Sequence, residues 1–281
     1  MTMVLAVLAA VAFGGADFLG GVASRRAPAV TIVVTSHLAG LAVVAAAAPL
    51  FGQVAASTDF LWGAAAGSAG ATGLVVFYRA LATTRFTVAA PAAALLGALV
   101  PVGFGVMVGE RPEAMAWAGV CLALPALILV GKVRGSREAA HAVVARRAVM
   151  MGALAGSLFG LFGILISRTG ADSGVWPLVG ARMASVPLIS VLALSVGRPL
   201  LAEGKALWVA IAAGATDMVA NMMLLSALHR PGLVSLVILV SSMYPAVTVL
   251  LARLVLEERI GRGQMAGLLL AGAGIGLISL S

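Results

Sequence analysis

The sequence predicts an all-α integral membrane protein with ten transmembrane helices arranged as two inverted five-helix repeats. Hydrophobic residues make up 62% of its 281 residues and charged residues only 10%, whereas a soluble domain carries about 25% charged residues. Apolar runs long enough to cross roughly 30 Å of hydrocarbon recur along the whole chain. The two halves of the sequence also resemble each other at a nearly constant offset.

Ten apolar runs of roughly 20 residues are predicted to be spanning helices. They cover residues 3–20, 30–50, 60–81, 87–109, 114–131, 148–167, 174–196, 206–228, 232–256 and 263–280. A transmembrane barrel is the alternative, but its strands would alternate apolar and polar residues, and these runs are unbroken. Helices satisfy their backbone hydrogen bonds internally, so they are the spanning structure that fits.

A basic stretch over residues 132–147 is predicted to be a linker between a first repeat, 1–131, and a second repeat, 148–281. Matching features recur 145 to 148 residues apart: Phe13 and Phe159, His37 and Arg182, Ala80-Leu81 and Ala227-Leu228, Glu110 and Glu258. A repeat with an odd number of spans enters the membrane upside down in its second copy. The repeats are therefore predicted to be inverted, as in many secondary transporters.

The positive charges are distributed unevenly between the two sides of the membrane. Of the 18 Lys and Arg residues, thirteen lie in or beside odd-numbered loops, three beside even-numbered loops, and two, Arg182 and Arg253, within spans. The positive-inside rule places the odd loops in the cytoplasm and both termini outside. The net charge of +8 is thus explained by anionic lipid of the bilayer, and no nucleic-acid partner is predicted.

The repeated features also resemble a known family. An Ala-Leu pair ends spans three and eight, Pro245 lies thirteen residues before Glu258-Arg259, Glu110-Arg111 repeats that ending, and the last span, Ala266–Leu280, is rich in Gly. In order and spacing these features resemble the EamA-type ten-helix members of the drug/metabolite transporter superfamily, over essentially the whole chain. The resemblance implies transport of amino acids, nucleotide derivatives, sugars or drugs.

Polar side chains within predicted spans are costly, so they are candidates for function. Asp217 and Asn221 lie four residues apart in span eight and share one helix face, either as a cavity wall or as an interhelical hydrogen bond. Asp17, in span one, is expected to have a functional role, to pair with Arg25 or Arg26, or to form a hydrogen bond across helices. Proton coupling requires a carboxyl group that binds protons, which burial favours, and Asp17 and Asp217 are both candidates.

His37 and Arg182 occupy corresponding positions in spans two and seven. Arg182 can bind an anionic group or neutralise Asp217, and His37 can titrate near neutral pH. Aromatic residues, namely Tyr78, Trp176 and Tyr244, either line a cavity or anchor the helices at the interface. The predicted substrate-binding residues are Asp217, Asn221, Arg182, His37, Tyr244 and Tyr78.

Two further groups are interpreted as structural. Arg253 and Glu257, four residues apart beside Glu258, are predicted to form an interfacial ion pair or gate. Gly residues at a spacing of four are predicted to let helices pack closely: Gly63 and Gly67, Gly105 and Gly109, Gly152 with Gly156 and Gly160, Gly272 and Gly276.

The sequence predicts a secondary active transporter that exports small metabolites or drugs across the cytoplasmic membrane by alternating access, with proton coupling as an option. The alternative is a channel or a non-transporting membrane scaffold. No enzyme, cofactor or metal site is predicted, because HExxH and GxSxG are absent and His37, His141 and His229 lie in different segments. The sequence does not separate a monomer from a homodimer.

Overall fold

The structure is a computed structural model that describes residues 1–51, 56–83, 86–131, 139–257 and 261–280. These ranges contain helices and no strand. The α-helices are α1 (Thr2–Ser24), α2 (Ala29–Ala47), α3 (Ser57–Thr83), α4 (Phe86–Met107), α5 (Ala114–Gly131), α6 (Ala139–Ile166), α7 (Trp176–Ser195), α8 (Gly204–Leu228), α9 (Val234–Ser241), α10 (Tyr244–Leu256) and α11 (Arg262–Leu280).

Seven helical segments of the described chain are long and apolar enough to cross a membrane: Thr2–Ser24, Ala29–Phe51, Ser57–Thr83, Arg146–Ile166, Trp176–Ser195, Gly204–Leu228 and Val234–Leu256. Helices α4, α5 and α11 lie where spans four, five and ten are predicted, but they do not meet the same test over their described residues. The predicted fold class is therefore confirmed as all-helical, whereas the count of ten spans is not.

Part of the predicted linker, residues 132–147, is helical in the structure. Residues 132–138 lie outside the described residues, and α6 already begins at Ala139. The segment from Ala139 to Ala145 is rich in Ala and contains neither Gly nor Pro, so it favours helix despite its polar flanks. Glu258 and Arg259, which support the family resemblance, also lie outside the described residues.

The ninth predicted span is interrupted. Helix α9 ends at Ser241 and α10 begins at Tyr244, with Ser242 and Met243 in a tight turn between them. Pro245 follows directly and has no N–H to donate to the turn before it. The Ser242 N–H still bonds to the Ile238 carbonyl at 2.8 Å, which keeps the two pieces nearly continuous.

Close helix packing joins the two halves of the chain. The most extensive helix contacts of the described chain include α4 with α6, α1 with α8, α5 with α11 and α3 with α7. Several Gly residues permit these approaches, because a Cβ there would collide with backbone of the facing helix: Gly63 against Pro177, Gly67 against Ala181, Gly152 against Ala89, Gly156 against Ala93 and Gly214 against Ser36.

The predicted role of the Gly pairs is thus confirmed for α3 and α6. It is wrong for Gly109 and Gly272, because a Cβ at either position would have no neighbour within 4 Å among the described residues. Gly109 instead adopts a positive φ of 92° after α4, where the chain turns and Gly is the favoured residue.

Candidate functional site

A cavity lies between the two halves, with an empty volume of about 730 Å³ that includes the space at its mouth. Its lining residues come from helices of both halves: Phe13, Asp17, His37, Gly70, Leu74, Gly97, Phe159, Phe162, Gly163, Arg182, Asp217, Asn221, Leu224, Ile238, Ser241, Ser242 and Tyr244. Most of the wall is apolar, and polar groups are few, as expected of small-molecule sites.

A chain of polar contacts crosses one wall of this cavity. Arg182 of α7 forms a salt bridge with Asp217 of α8. The Asn221 side-chain amide donates to the same Asp217 oxygen at 3.1 Å and to the Asp217 carbonyl at 2.8 Å. The predicted face shared by Asp217 and Asn221 is therefore present, and its carboxylate is neutralised by Arg182.

His37 completes this chain on α2. Its Nε2 lies 3.3 Å from Nη1 of Arg182, and its Nδ1 lies 2.8 Å from the Ser185 hydroxyl. A guanidinium nitrogen only donates hydrogen bonds, so Nε2 accepts and the ring proton is on Nδ1. The geometry therefore describes a neutral His37 that donates to Ser185.

Asp17 of α1 also lines the cavity. Its side chain is buried, with 7% of the residue exposed. Asp17 has no hydrogen bond or salt bridge with any described residue, Arg25 and Arg26 included. The predicted pairing with those arginines is therefore wrong: both lie beyond the end of α1 and are exposed, whereas Asp17 lines the cavity. The Tyr244 hydroxyl is likewise buried without a partner.

The structure brings together six of the seven polar residues singled out in the sequence: Asp17, His37, Arg182, Asp217, Asn221 and Tyr244. Tyr78 is different, because it is fully buried behind the wall. Its hydroxyl occupies the space beside Gly20, where a Cβ would lie. Tyr78 supports the position of α1 from behind and does not face the cavity.

Two other predicted groups lie away from the cavity. Arg253 and Glu257 are both exposed, and the ion pair predicted between them does not form. Glu257 leaves α10 in a left-handed conformation with φ 56°, so it no longer shares a helix face with Arg253. Trp176 packs against Phe60, with ring centroids 6.3 Å apart, at the start of α7.

Sequence reasoning missed the aromatic part of the wall, namely Phe13, Phe159 and Phe162. Phe77 supports this wall from behind, with edge-to-face contacts to Phe159 and Tyr244 at 5.7 and 6.4 Å between centroids. The signal was available, because Phe13 and Phe159 are matching positions of the predicted repeats.

Lining residues also occur in pairs at the repeat offset. Six pairs are separated by 145 to 147 residues: Phe13 with Phe159, Asp17 with Gly163, His37 with Arg182, Gly70 with Asp217, Leu74 with Asn221 and Gly97 with Tyr244. In two of the pairs, Asp17 with Gly163 and Gly70 with Asp217, one member is a carboxylic acid and the other is Gly. Matching positions thus meet at one cavity but give it different chemistry on each side.

A second set of polar contacts joins the even-numbered loops. Glu110 accepts hydrogen bonds from the hydroxyl and the N–H of Ser235 at the start of α9. Thr169 contacts Nε2 of His229 at 3.0 Å, just beyond α8. Burial lowers the pKa of His229, against an opposing pull from Asp59. These contacts tie α9 to the segment after α4, and the end of α8 to the segment after α6.

A family match is found for the second half of the chain. Residues 146–280 match the model of the EamA-like transporter family. The match agrees with the resemblance drawn from the sequence, and together with the seven long apolar helices of the described residues it supports a multi-pass membrane protein. No group of three or more His, Cys, Asp or Glu side chains that could hold a metal occurs in the described ranges.

A similar fold is present in a solved structure described as "Crystal structure of protein". The two chains are 17% identical and superpose with a TM-score of 0.73, over 98% of this chain and 96% of the other. At that identity the likeness shows the fold alone. A comparison with curated protein sequences gave no match.

Proposed function

We propose that this EamA-like protein is a secondary active transporter of small metabolites or drugs in the cytoplasmic membrane. In this proposal the chain spans the bilayer ten times as two inverted five-helix repeats, 1–131 and 148–281. The halves rock about the central cavity and expose it to each side in turn. Export is the direction predicted from the sequence and is part of the proposal.

The cavity residues that are paired at the repeat offset support the inverted repeat. A two-fold axis in the membrane plane would bring matching positions of two inverted repeats together at the midplane. The lining contains six such pairs, including His37 with Arg182 and Phe13 with Phe159. In the proposed repeats, helices α1, α2 and α3 correspond to α6, α7 and α8. The helix contacts follow this correspondence, because α3 packs on α7 as α8 packs on α2, and α3 packs on α6 as α8 packs on α1.

The break between α9 and α10 supports a transport site at the same place. Discontinuous helices in transporters present unpaired backbone groups and flexible joints at the substrate site. Ser242 and Tyr244, at this break, line the cavity. We propose that Asp217, Asn221, Arg182, His37 and Tyr244 form the substrate-binding wall, with Tyr78 as the residue that supports α1.

Asp17 is the proposed proton carrier. The sequence offers both Asp17 and Asp217, but Asp217 is held by Arg182 and Asn221. A carboxylate in an ion pair is less readily protonated than one without a partner. The buried Asp17 without a described partner is the observation on which the proposed coupling depends.

Flux measurements in proteoliposomes test the transport proposal. A panel of labelled amino acids, nucleosides, sugars and amines should include a compound whose flux saturates and follows an imposed pH gradient. Asp17→Asn should lower that flux at least tenfold, because the carrier can no longer release a proton. The matched control, Asp172→Asn, changes an exposed aspartate and should retain full flux.

A channel would give a different result. Its flux would rise linearly with concentration and would not drive any compound against its gradient. A scaffold would give no flux for any member of the panel. Either outcome would contradict the proposal, as would equal flux in the Asp17→Asn variant and the control.

A further inference from the structure

The charges that line the cavity do not balance. Its described charged or titratable side chains, apart from the Tyr244 phenol, are Asp17, His37, Arg182 and Asp217. Arg182 and Asp217 neutralise each other through their salt bridge. His37 is neutral, since its Nε2 accepts from Arg182 and its Nδ1 donates to Ser185. One negative charge therefore remains when Asp17 is ionised.

Among the residues that the structure describes, no compensating cation is left for Asp17. The groups that act electrostatically on it or respond to it are Asp217 on α8, Tyr78 on α3 and Tyr244 on α10. Arg182 on α7 already contacts Asp217 and His37. An unpaired charge out of water is costly. Asp17 therefore needs either a proton or a positively charged ligand.

The rest of the wall suits the body of such a ligand. Phe13 and Phe159, from matching positions of the two halves, face the cavity together with Phe162 and Tyr244. The negative face of an aromatic ring attracts cations, and this attraction is larger away from water. Leu74, Leu224 and Ile238 add aliphatic surface. The wall can therefore hold an apolar group beside a positive charge.

Anionic and zwitterionic ligands fit less well. A carboxylate group of a ligand would be repelled by ionised Asp17. It would also have to replace Asp217 as the partner of Arg182. Of the five N–H donors of Arg182, one at Nη1 contacts His37 and one at Nη2 contacts Asp217. Its Nε has no partner among the described residues and lies near Gly40 of α2, which does not line the cavity. Both terminal nitrogens of Arg182 are therefore engaged, and an anionic ligand would have to compete with Asp217 for them.

We propose that the cavity binds monovalent organic cations, with the ammonium group at Asp17 and an aromatic or aliphatic body against Phe13, Phe159 and Phe162. This proposal rests on the transport function and names its substrate class. Proton and amine compete for one carboxylate, so binding of one releases the other. Exchange of a proton for an amine across the membrane is the expected cycle.

A matched set of phenyl compounds tests the substrate class by calorimetry on the purified protein. Phenethyltrimethylammonium carries a fixed charge, phenethyl alcohol is neutral, 3-phenylpropionate is an anion and phenylalanine is a zwitterion. At pH 8 the ammonium compound should bind at least tenfold more tightly than the other three. Tighter binding of 3-phenylpropionate or phenylalanine would overturn the proposal.

Asp17 is tested in the same assay. Asp17→Asn should weaken binding of the ammonium compound at least tenfold, whereas Asp172→Asn should bind like the wild type. If Asp17→Asn does not fold, Asp17→Glu keeps the charge and should bind. The wild-type protein offers a second test of the same competition. Acidification to pH 5.5 should weaken binding of the ammonium compound, because protons compete for Asp17 while the fixed charge of the ligand does not change. Unchanged affinity between pH 8 and 5.5 would contradict competition at Asp17.

Flux measurements separate this proposal from the transport function. Transport of phenylalanine without transport of the ammonium compound would refute the proposed substrate class but not the transport function. Binding of the ammonium compound at Asp17 without flux of any compound would refute the transport function but not the cation site.

Discussion

At the scale of single residues, the buried pair of Arg182 and Asp217 determines how the cavity wall is held. Both side chains are largely buried, with 6% and 16% exposed, so each charge depends on the other. Asn221 and His37 satisfy further donors and acceptors of the pair. Such a network fixes the relative position of α2, α7 and α8.

Breaking this pair should destabilise the protein. Arg182→Gln and Asp217→Asn should each lower the free energy of unfolding by about 3 kcal/mol, because each leaves one buried charge without its partner. The double variant should be more stable than either single variant, since both charges are then gone. Unfolding in mixed detergent micelles measures all three, and additive losses would contradict a coupled pair.

The residue scale also shows what the sequence can predict. Polar residues inside apolar spans are conspicuous, which is why Asp17, His37, Arg182, Asp217, Asn221 and Tyr244 could be named in advance. Their convergence could not be derived, because Asp17 and Asp217 are 200 positions apart and meet only through the packing of α1 on α8. The lining phenylalanines could not be singled out from the sequence, since an aromatic residue in an apolar span is as hydrophobic as its neighbours.

At the scale of the helices, glycine determines which faces meet. Gly67 of α3 lies against the backbone of Ala181, and a Cβ there would collide with it. The sequence spacing of Gly63 and Gly67 predicted a close approach but could not name α7 as the partner. Gly272 has the same spacing pattern, but a Cβ there would have no neighbour within 4 Å among the described residues, so spacing alone does not show which faces are packed.

Substitution of these two glycines separates packing from helix propensity. Gly67→Ala should lower the free energy of unfolding by about 2 kcal/mol, because α3 and α7 must move apart. Gly272→Ala should change it by less than about 0.5 kcal/mol, since nothing lies near the added methyl group. Equal effects of the two substitutions, measured in the same micelles, would show that close packing of α3 on α7 is not the cause.

The interrupted helix was only partly predictable. Pro245 indicates a weak point within the ninth span, because its nitrogen has no hydrogen to donate. The sequence does not show that the chain stops at Ser241 and resumes at Tyr244. That outcome depends on helix α1, where Gly14 allows the Tyr244 carbonyl to approach closely.

At the scale of the whole molecule, the two halves form one cavity with unequal sides. Matching positions carry Asp17 and Gly163, or Gly70 and Asp217. In the proposed transport cycle, two structurally similar halves would rock about a cavity whose two sides carry different side chains. The charge distribution further predicts odd-numbered loops in the cytoplasm, a prediction that a reporter fused at Ser281 tests directly, with an external signal expected.

Accessibility of the cavity from the two sides tests the central claim of alternating access. Cys121→Ser removes the single cysteine of the chain, and Ser242→Cys then places a thiol at the break between α9 and α10, on the cavity wall. In sealed vesicles, an impermeant maleimide should label this thiol from both sides, and an imposed pH gradient should speed labelling from one side while slowing it from the other. Labelling from one side only, or rates that change in the same direction on both sides, would contradict alternating access.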